Sequence, residues 1–199
     1  MMLIEETAAP PAALPLAEFK AHLRLGTGFA DDDIQDPVLE SFLRAALAAI
    51  EGRTGKVLLE REFSWALRVW RDGAGQALPV APVRAVLSLS LRNRADEVEV
   101  IDPALYRLEQ DAHRPVLRPV AAVLPTIERG GVADIRFRAG YGAAWSDLPA
   151  DLVQAVLMLA AHYYEYRHET GLSSGCMPFG VASLIERYRT VRLLGGGAR

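Results

Sequence analysis

The chain has 199 residues, 51% of them apolar and 24% charged, with a formal net charge of −3. That size suits one good core with an embellishment rather than two full domains, and the composition is that of a folded protein, not a disordered one. The charge supplies no overall basic field, which argues against nucleic-acid binding by bulk phosphate neutralisation. The cations are almost all arginine, with Lys20 and Lys56 the only lysines. Arginine's planar fork suits protein interfaces, and a GC-rich genome gives the same bias. Cys176 is the single cysteine, so a disulfide framework and a thiolate metal site are both excluded. The opening run puts Glu5 and Glu6 where a secretion signal needs positive charge, and prolines where it needs an apolar core. No stretch of about 18 to 20 apolar residues is present to span a bilayer. The expectation is a chain made and folded in a reducing cytoplasm, with no membrane partner.

Residues up to Pro15 read as a flexible Pro/Ala arm. Leu16, Phe19 and Leu23, with Lys20 and Arg24 between them, predict a short amphipathic helix over 16–25, stopped by Gly26 and Gly28. Asp31 to Asp33 then precede Ile34, Val38, Phe42, Ala45, Ala46 and Ile50, which predict a helix over 33–54. Pro37 fits its first turn, where a missing N–H costs nothing, and Gly55 fits a left-handed cap.

The period then changes. Phe63, Trp65, Leu67 and Val69 alternate with polar or small residues, as on a half-buried strand. Asp72-Gly73 and Gly75 mark a turn, and Leu78-Pro79 with Pro82 suggest a sheet edge. Leu87, Leu89 and Leu91 alternate again, followed by Val98 and Val100, then Ile135 and Phe137 beyond Gly130-Gly131. Short strands separated by turns predict antiparallel hairpins over about 57–139.

Pro149 opens a helix over 149–168, with Asp147 near its positive end. Leu152, Val153, Val156, Leu157, Leu159, Ala160, Tyr163 and Tyr164 cover most of its circumference. A helix this apolar is central in a core or shared with another subunit. Val153, Leu157 and Tyr164 are the residues expected at a subunit contact. Gly171 to Gly175 form a loop, and the tail over 171–199 holds a last short helix from about Gly180 to Arg189. No internal repeat is present.

Recognisable catalytic chemistry is missing. His162, Glu165 and His168 sit at i, i+3 and i+6, spread over about 120° of helix surface, without the i, i+4 histidine pair of a zinc helix. They read as a solvated or interfacial stripe. Asp31, Asp32, Asp33 and Asp36 lack the glycine and closing glutamate of a calcium loop and read as helix caps. The glycines of "GYG", Gly140 and Gly142, lack the third glycine of a dinucleotide site and the lysine of a P-loop. They read as backbone turning from strand to helix. Ser173 and Ser174 lack a nucleophile elbow. His22 and His113 read as isolated surface or capping residues, and Trp65, Trp70 and Trp145 as core or rim.

The tail is different. Phe179, Val181, Leu184, Ile185 and Tyr188 make one apolar face on about ten residues, too short a helix to stand alone in water. It folds back on its own body or docks on a partner. Arg187, Arg189, Arg192 and Arg199 against Glu186 favour an acidic receiver. On the docking reading, removing residues from Met177 onward leaves a folded body.

Seven segments carry a resemblance, in order. They are "LAEFKAHLRL" (16–25), the acids at Asp31 to Asp33, "AAIEGRTGKVLLEREFSW" (48–65) and "LPVAPVRAVLSL" (78–89). "FRAGYG" (137–142), "LPADLVQAVLMLAAHYYEYR" (148–167) and "MPFGVASLIERYR" (177–189) follow. The chain resembles the head–tail connector (adaptor) proteins of long-tailed phages and gene transfer agents from about Leu16 to Arg192. It departs from them at Lys56, where an arginine is more usual, and in carrying Pro37 and extra residues near the second helix start.

The resemblance implies an α+β fold: a small helical bundle with an inserted antiparallel β region and an extended C-terminal tail. It implies a ring, of twelve copies, beneath the portal protein, with DNA passing through the lumen without specific binding. The C-terminal segment reaches the portal and the opposite face receives the next neck protein, a stopper. Pro178, Phe179, Gly180, Leu184, Tyr188 and Arg189 match the closing segment and are implied as portal contacts, with Arg192 as a charge partner. The implied place is the neck of a virion or phage-like particle, after assembly from the host cytoplasm, with no enzyme activity, cofactor or metal. The rival readings are a stopper, expected to be mainly β, and a small metal-dependent hydrolase using His162, Glu165 and His168.

Overall fold

The computed structural model describes residues 2–25, 35–167 and 177–189. Their helices are α1 (Leu16–His22), α2 (Asp36–Thr54), α3 (Ala150–Glu165) and α4 (Phe179–Ile185). The strands are β1 (Met2–Glu5), β2 (Arg61–Leu67), β3 (Gln76–Ala77), β4 (Val83–Arg92), β5 (Val98–Val100), β6 (Tyr106–Glu109), β7 (Val116–Pro119) and β8 (Val132–Ala139). The fold is α+β, built on two adjoining cores.

The helical signals work as read. Pro37 lies in the first turn of α2, and Gly55 closes it at φ 69°, donating its N–H to the Glu51 carbonyl at 2.8 Å. Asp36 at that start meets Lys20 of α1 at 2.5 Å, fixing the two helices to each other; Asp31 to Asp33 lie outside the described residues. Phe19, Leu39, Leu43, Ala46 and Ile50 meet Leu152, Ala155, Val156, Leu159 and Ala160 in the first core. Three alanines among these let α2 and α3 approach closely. The apolar girdle of α3 is central in this core.

In the second core, a five-stranded antiparallel sheet of order β1-β2-β8-β4-β5 is covered on one face by a three-stranded sheet of order β3-β7-β6. The covered, inner face carries Phe63, Trp65, Leu67, Leu89, Ala133, Ile135 and Phe137. Phe63 and Phe137 stack with ring centres 5.7 Å apart. Leu78, Tyr106 and Leu117 are contributed by and next to the smaller sheet. Its strands β6 and β7, set among arginines and prolines, show little alternation in the sequence. Pro79 and Pro82 lie in the connection from β3, an outer strand of the small sheet, to β4.

Three expectations are corrected. Within the expected arm of residues 1–15, the described residues 2–15 are not free: Met2–Glu5 pairs antiparallel with β2, while Ala9 and Leu14 are buried in the bundle core. Leu87 does not alternate inward with Leu89. The register of β4 against β8 shifts between Val86 and Ser88, leaving Leu87 as the extra residue of a bulge and exposed. The segment 177–189 is not detached: Val181, Ile185 and Tyr188 are buried in the bundle core against α3. Of the tail residues, 171–176, with the expected Gly171 to Gly175 loop, and 190–199 lie outside the described part.

Candidate docking surfaces

The C-terminal segment is held by a small polar cluster. The Tyr188 hydroxyl donates to Asp151 Oδ1 at 2.7 Å, and Arg187 pairs with Asp151 Oδ2 at 2.8 Å. The Arg187 guanidinium also lies 4.8 Å from the centre of the Tyr188 ring. Tyr141 meets that ring edge-on at 6.4 Å. Asp151 sits in the first turn of α3, where the helix dipole favours its charge.

Burial, then the neighbouring Tyr188 and Asp151, push the Tyr141 phenol up to about 12. Burial also raises Tyr188, Tyr106 and Tyr163. In the unfolded chain these phenols ionise near pH 10. The unfolded state therefore loses its protons first, and stability present below about pH 10 is lost as pH rises through about 12. Urea midpoints followed upward from about pH 9 should fall as the phenolate absorbance of the unfolded chain appears. Constant or rising midpoints would contradict this packing.

The expected portal contacts divide sharply. Phe179 is 89% exposed, the most exposed large apolar residue of the described part. Pro178 and Gly180 beside it are half-buried. Leu184 is half-buried against the bundle, and Arg189 is exposed and pairs with Glu186 at 3.0 Å. Tyr188, buried and bonded to Asp151, is not free to meet a partner. Arg192 lies outside the described residues. Of the expected subunit contacts, Leu157 is covered by its own bundle, which removes it from any outer surface. Val153 and Tyr164 remain half-exposed, Tyr164 packed edge-on to Phe42 at 6.1 Å with Arg167 over its ring at 4.8 Å.

His162 packs against Tyr166, ring centres 4.7 Å apart, while Glu165 is exposed and His168 lies outside the described residues. Among the described residues no three metal-ligating side chains converge.

Two buried ionic groups join the cores. Lys56, expected only as a departure from arginine, is buried and donates from Nζ to the Ala112 carbonyl, with His113 Nδ1 at 3.1 Å. His113 is therefore not isolated. Burial lowers the Lys56 ammonium below its usual range, opposed by the nearby Asp111. Glu51 accepts from Arg61 at 2.6 Å and from the Leu58 N–H at 2.7 Å. Burial nevertheless raises its carboxyl above the usual range.

The uncovered, outer face of the large sheet is a charge lattice. Arg136 meets Glu62 at 3.5 Å, Arg138 meets Glu62 at 3.3 Å and Glu60 at 3.6 Å, and Arg92 meets Asp134 at 3.9 Å. At both ends of this sheet the surface is apolar instead: Met2, Leu3 and Ile4 at β1, Val98 and Val100 at β5. The local sequence does not mark β1, because its partner strand lies about sixty residues away. Val98 and Val100, expected as part of the alternation, lie instead on an edge, of which their exposed neighbours Glu97 and Glu99 are the usual marks.

No family model matches the chain, and no curated protein does. Solved structures do. The neck of an empty gene transfer agent particle, computed with C6 symmetry, holds a chain 55% identical, with a TM-score of 0.89, covering 98% of this chain and 99% of that one. The chain belongs to the neck proteins of gene transfer agents and phages. A chain in the virion of a native gene transfer agent particle is also 55% identical, with a TM-score of 0.87 and the same coverage. The neck of a native particle computed with C12 symmetry holds a chain 50% identical, with a TM-score of 0.84, again over 98% and 99%. This neck protein is thus similar over nearly its whole length to structural components of particles.

Proposed function

We propose that this neck protein is the head–tail adaptor of a phage-like particle, a ring beneath the portal that links capsid to tail and surrounds the DNA conduit. Its role is structural rather than catalytic, in keeping with relatives that are particle components. Similarity to necks with six- and twelve-fold symmetry supports the ring, of twelve copies. The size of the helical bundle favours the adaptor over a mainly β stopper, which would be its next neighbour. The charge lattice supports DNA passage without specific binding, since its arginines face carboxylates rather than solvent alone.

The observation that carries the portal assignment is Phe179. A fully presented aromatic side chain, on a segment whose other large apolar residues are buried or half-buried, is an anchor awaiting a pocket. Pro178, Gly180 and Arg189 flank it as further contacts, and Arg192 extends the basic character. Burying one phenylalanine contributes about 2 to 3 kcal/mol, so its loss weakens one contact by roughly 30- to 160-fold. Repetition around a ring multiplies that loss. Phe179→Asp should melt like the native chain and fail to co-purify with the portal protein. Undiminished portal binding would refute the assignment.

A further inference from the structure

We propose that neighbouring copies in the ring join edge to edge, the β1 edge of one copy adding to the β5 edge of the next. This rests on the ring reading above. A closed ring needs two different, complementary surfaces on each copy, since each contact is head to tail. The large sheet ends in two such surfaces.

Among the described residues neither edge is paired on its outer side. The direction of the free groups follows from the bonds that are made. Ile101 donates to the Leu89 carbonyl at 2.9 Å, and Asn93 donates to the Glu97 carbonyl at 3.1 Å. Antiparallel bonding alternates along a strand, so the N–H and C=O groups of Val98 and Val100 point away from β4. Glu6 likewise donates to the Glu62 carbonyl at 2.8 Å, which turns the backbone groups of Leu3 and Glu5 away from β2. Each edge therefore offers two residues' worth of backbone groups to an incoming strand.

The side chains agree. Met2 and Ile4 stand opposite Ala66 and Ser64, and Val98 and Val100 opposite Arg92 and Ser90, all on the outer face. Val98 is 61% and Val100 70% exposed. Joining the edges brings these four side chains into one apolar row. At the β5 end lies an open groove of about 230 Å³, in which Leu91, Val98 and Ile127 sit among polar side chains that include Glu97, Glu99 and Glu128. Leu3, whose side chain lies on the inner face, is the aliphatic group that the incoming strand brings to it. The helical bundle, by contrast, exposes among its described residues only scattered large apolar side chains: Val38, Tyr166 and Phe179. Short strands and flanking glutamates keep the edges from pairing indiscriminately.

The test uses particles made in cells whose only copy of this protein carries Cys176→Ser, Ile4→Cys and Val100→Cys. A short thiol-to-thiol cross-linker should give a ladder of covalent multimers on a denaturing gel. Either cysteine alone should give only monomer, because the two edges differ. Particles that contain the double variant yet yield monomer only would overturn the proposal, as would dimers from a single-cysteine variant. Absence of the native protein from purified particles would overturn the neck reading itself. Val100→Pro is a second probe, since it removes an outward N–H and none of the bonds to β4. It should fold normally and drop out of particles. Native-level incorporation would also count against the edge contact.

Discussion

Cutting the chain before Met177 is expected to unfold the bundle rather than trim it. The docking reading of the sequence treated this segment as dispensable for folding. Val181 and Ile185 are fully buried and Tyr188 nearly so, all within the core built on α3. Three such side chains contribute about 4.5 to 9 kcal/mol at roughly 1.5 to 3 kcal/mol each. A protein of this size is stable by about 5 to 15 kcal/mol in total. The cut also strands Asp151, whose partners Tyr188 and Arg187 go with it. Urea unfolding should show a lost or greatly lowered transition, and near-ultraviolet circular dichroism should collapse. A truncated protein with the native midpoint would mean that these contacts do not hold the core. Because the cut confounds folding with docking, Phe179→Asp is the cleaner probe of portal binding.

Gly140→Ala should be nearly as damaging. Gly140 has φ +139°, a backbone region that residues with a Cβ rarely enter. An added Cβ would lie 2.5 Å from Glu60 Cα and 2.6 Å from its nitrogen. Both are backbone atoms, fixed because Glu60 donates to the Gly142 carbonyl at 2.8 Å. Strain and overlap together should cost about 4 kcal/mol or more. The matched control is Gly52→Ala on α2, where an added Cβ meets nothing within 4 Å. That change should be neutral or stabilising by up to about 1 kcal/mol. Equal melting temperatures for the two variants would refute this account.

Much of the bundle was legible because helices announce themselves locally. The period of Leu39, Leu43, Ala46 and Ile50, the proline in the first turn and the glycine cap all act within a few residues. Phe63, Trp65, Ile135 and Phe137 were legible for the same reason, as plain alternation on regular strands. What failed was nonlocal. The run Met2–Glu5 becomes a strand only because β2 exposes an edge to it. The bulge at Leu87 is set by the register against β8, not by its own neighbours. The apolar face of Val181, Ile185 and Tyr188 does need a receiver, but the docking reading gave it a partner protein. That the receiver is α3 of the same chain is a matter of tertiary geometry. Phe179, by contrast, was picked out by the family motif and stands at the surface.

Arg61 stands opposite Ala139, so the chain enters and leaves the β body through adjoining strands. The helices consequently meet residues 61–139 as a plug in one socket, secured nearby by Lys56 and Gly140. The far turns, at Asn93 to Glu97 and between β7 and β8, bear no part of that joint. Lineages are then free to lengthen, shorten or recolour the outer loops for new companions without retuning the helices that carry them.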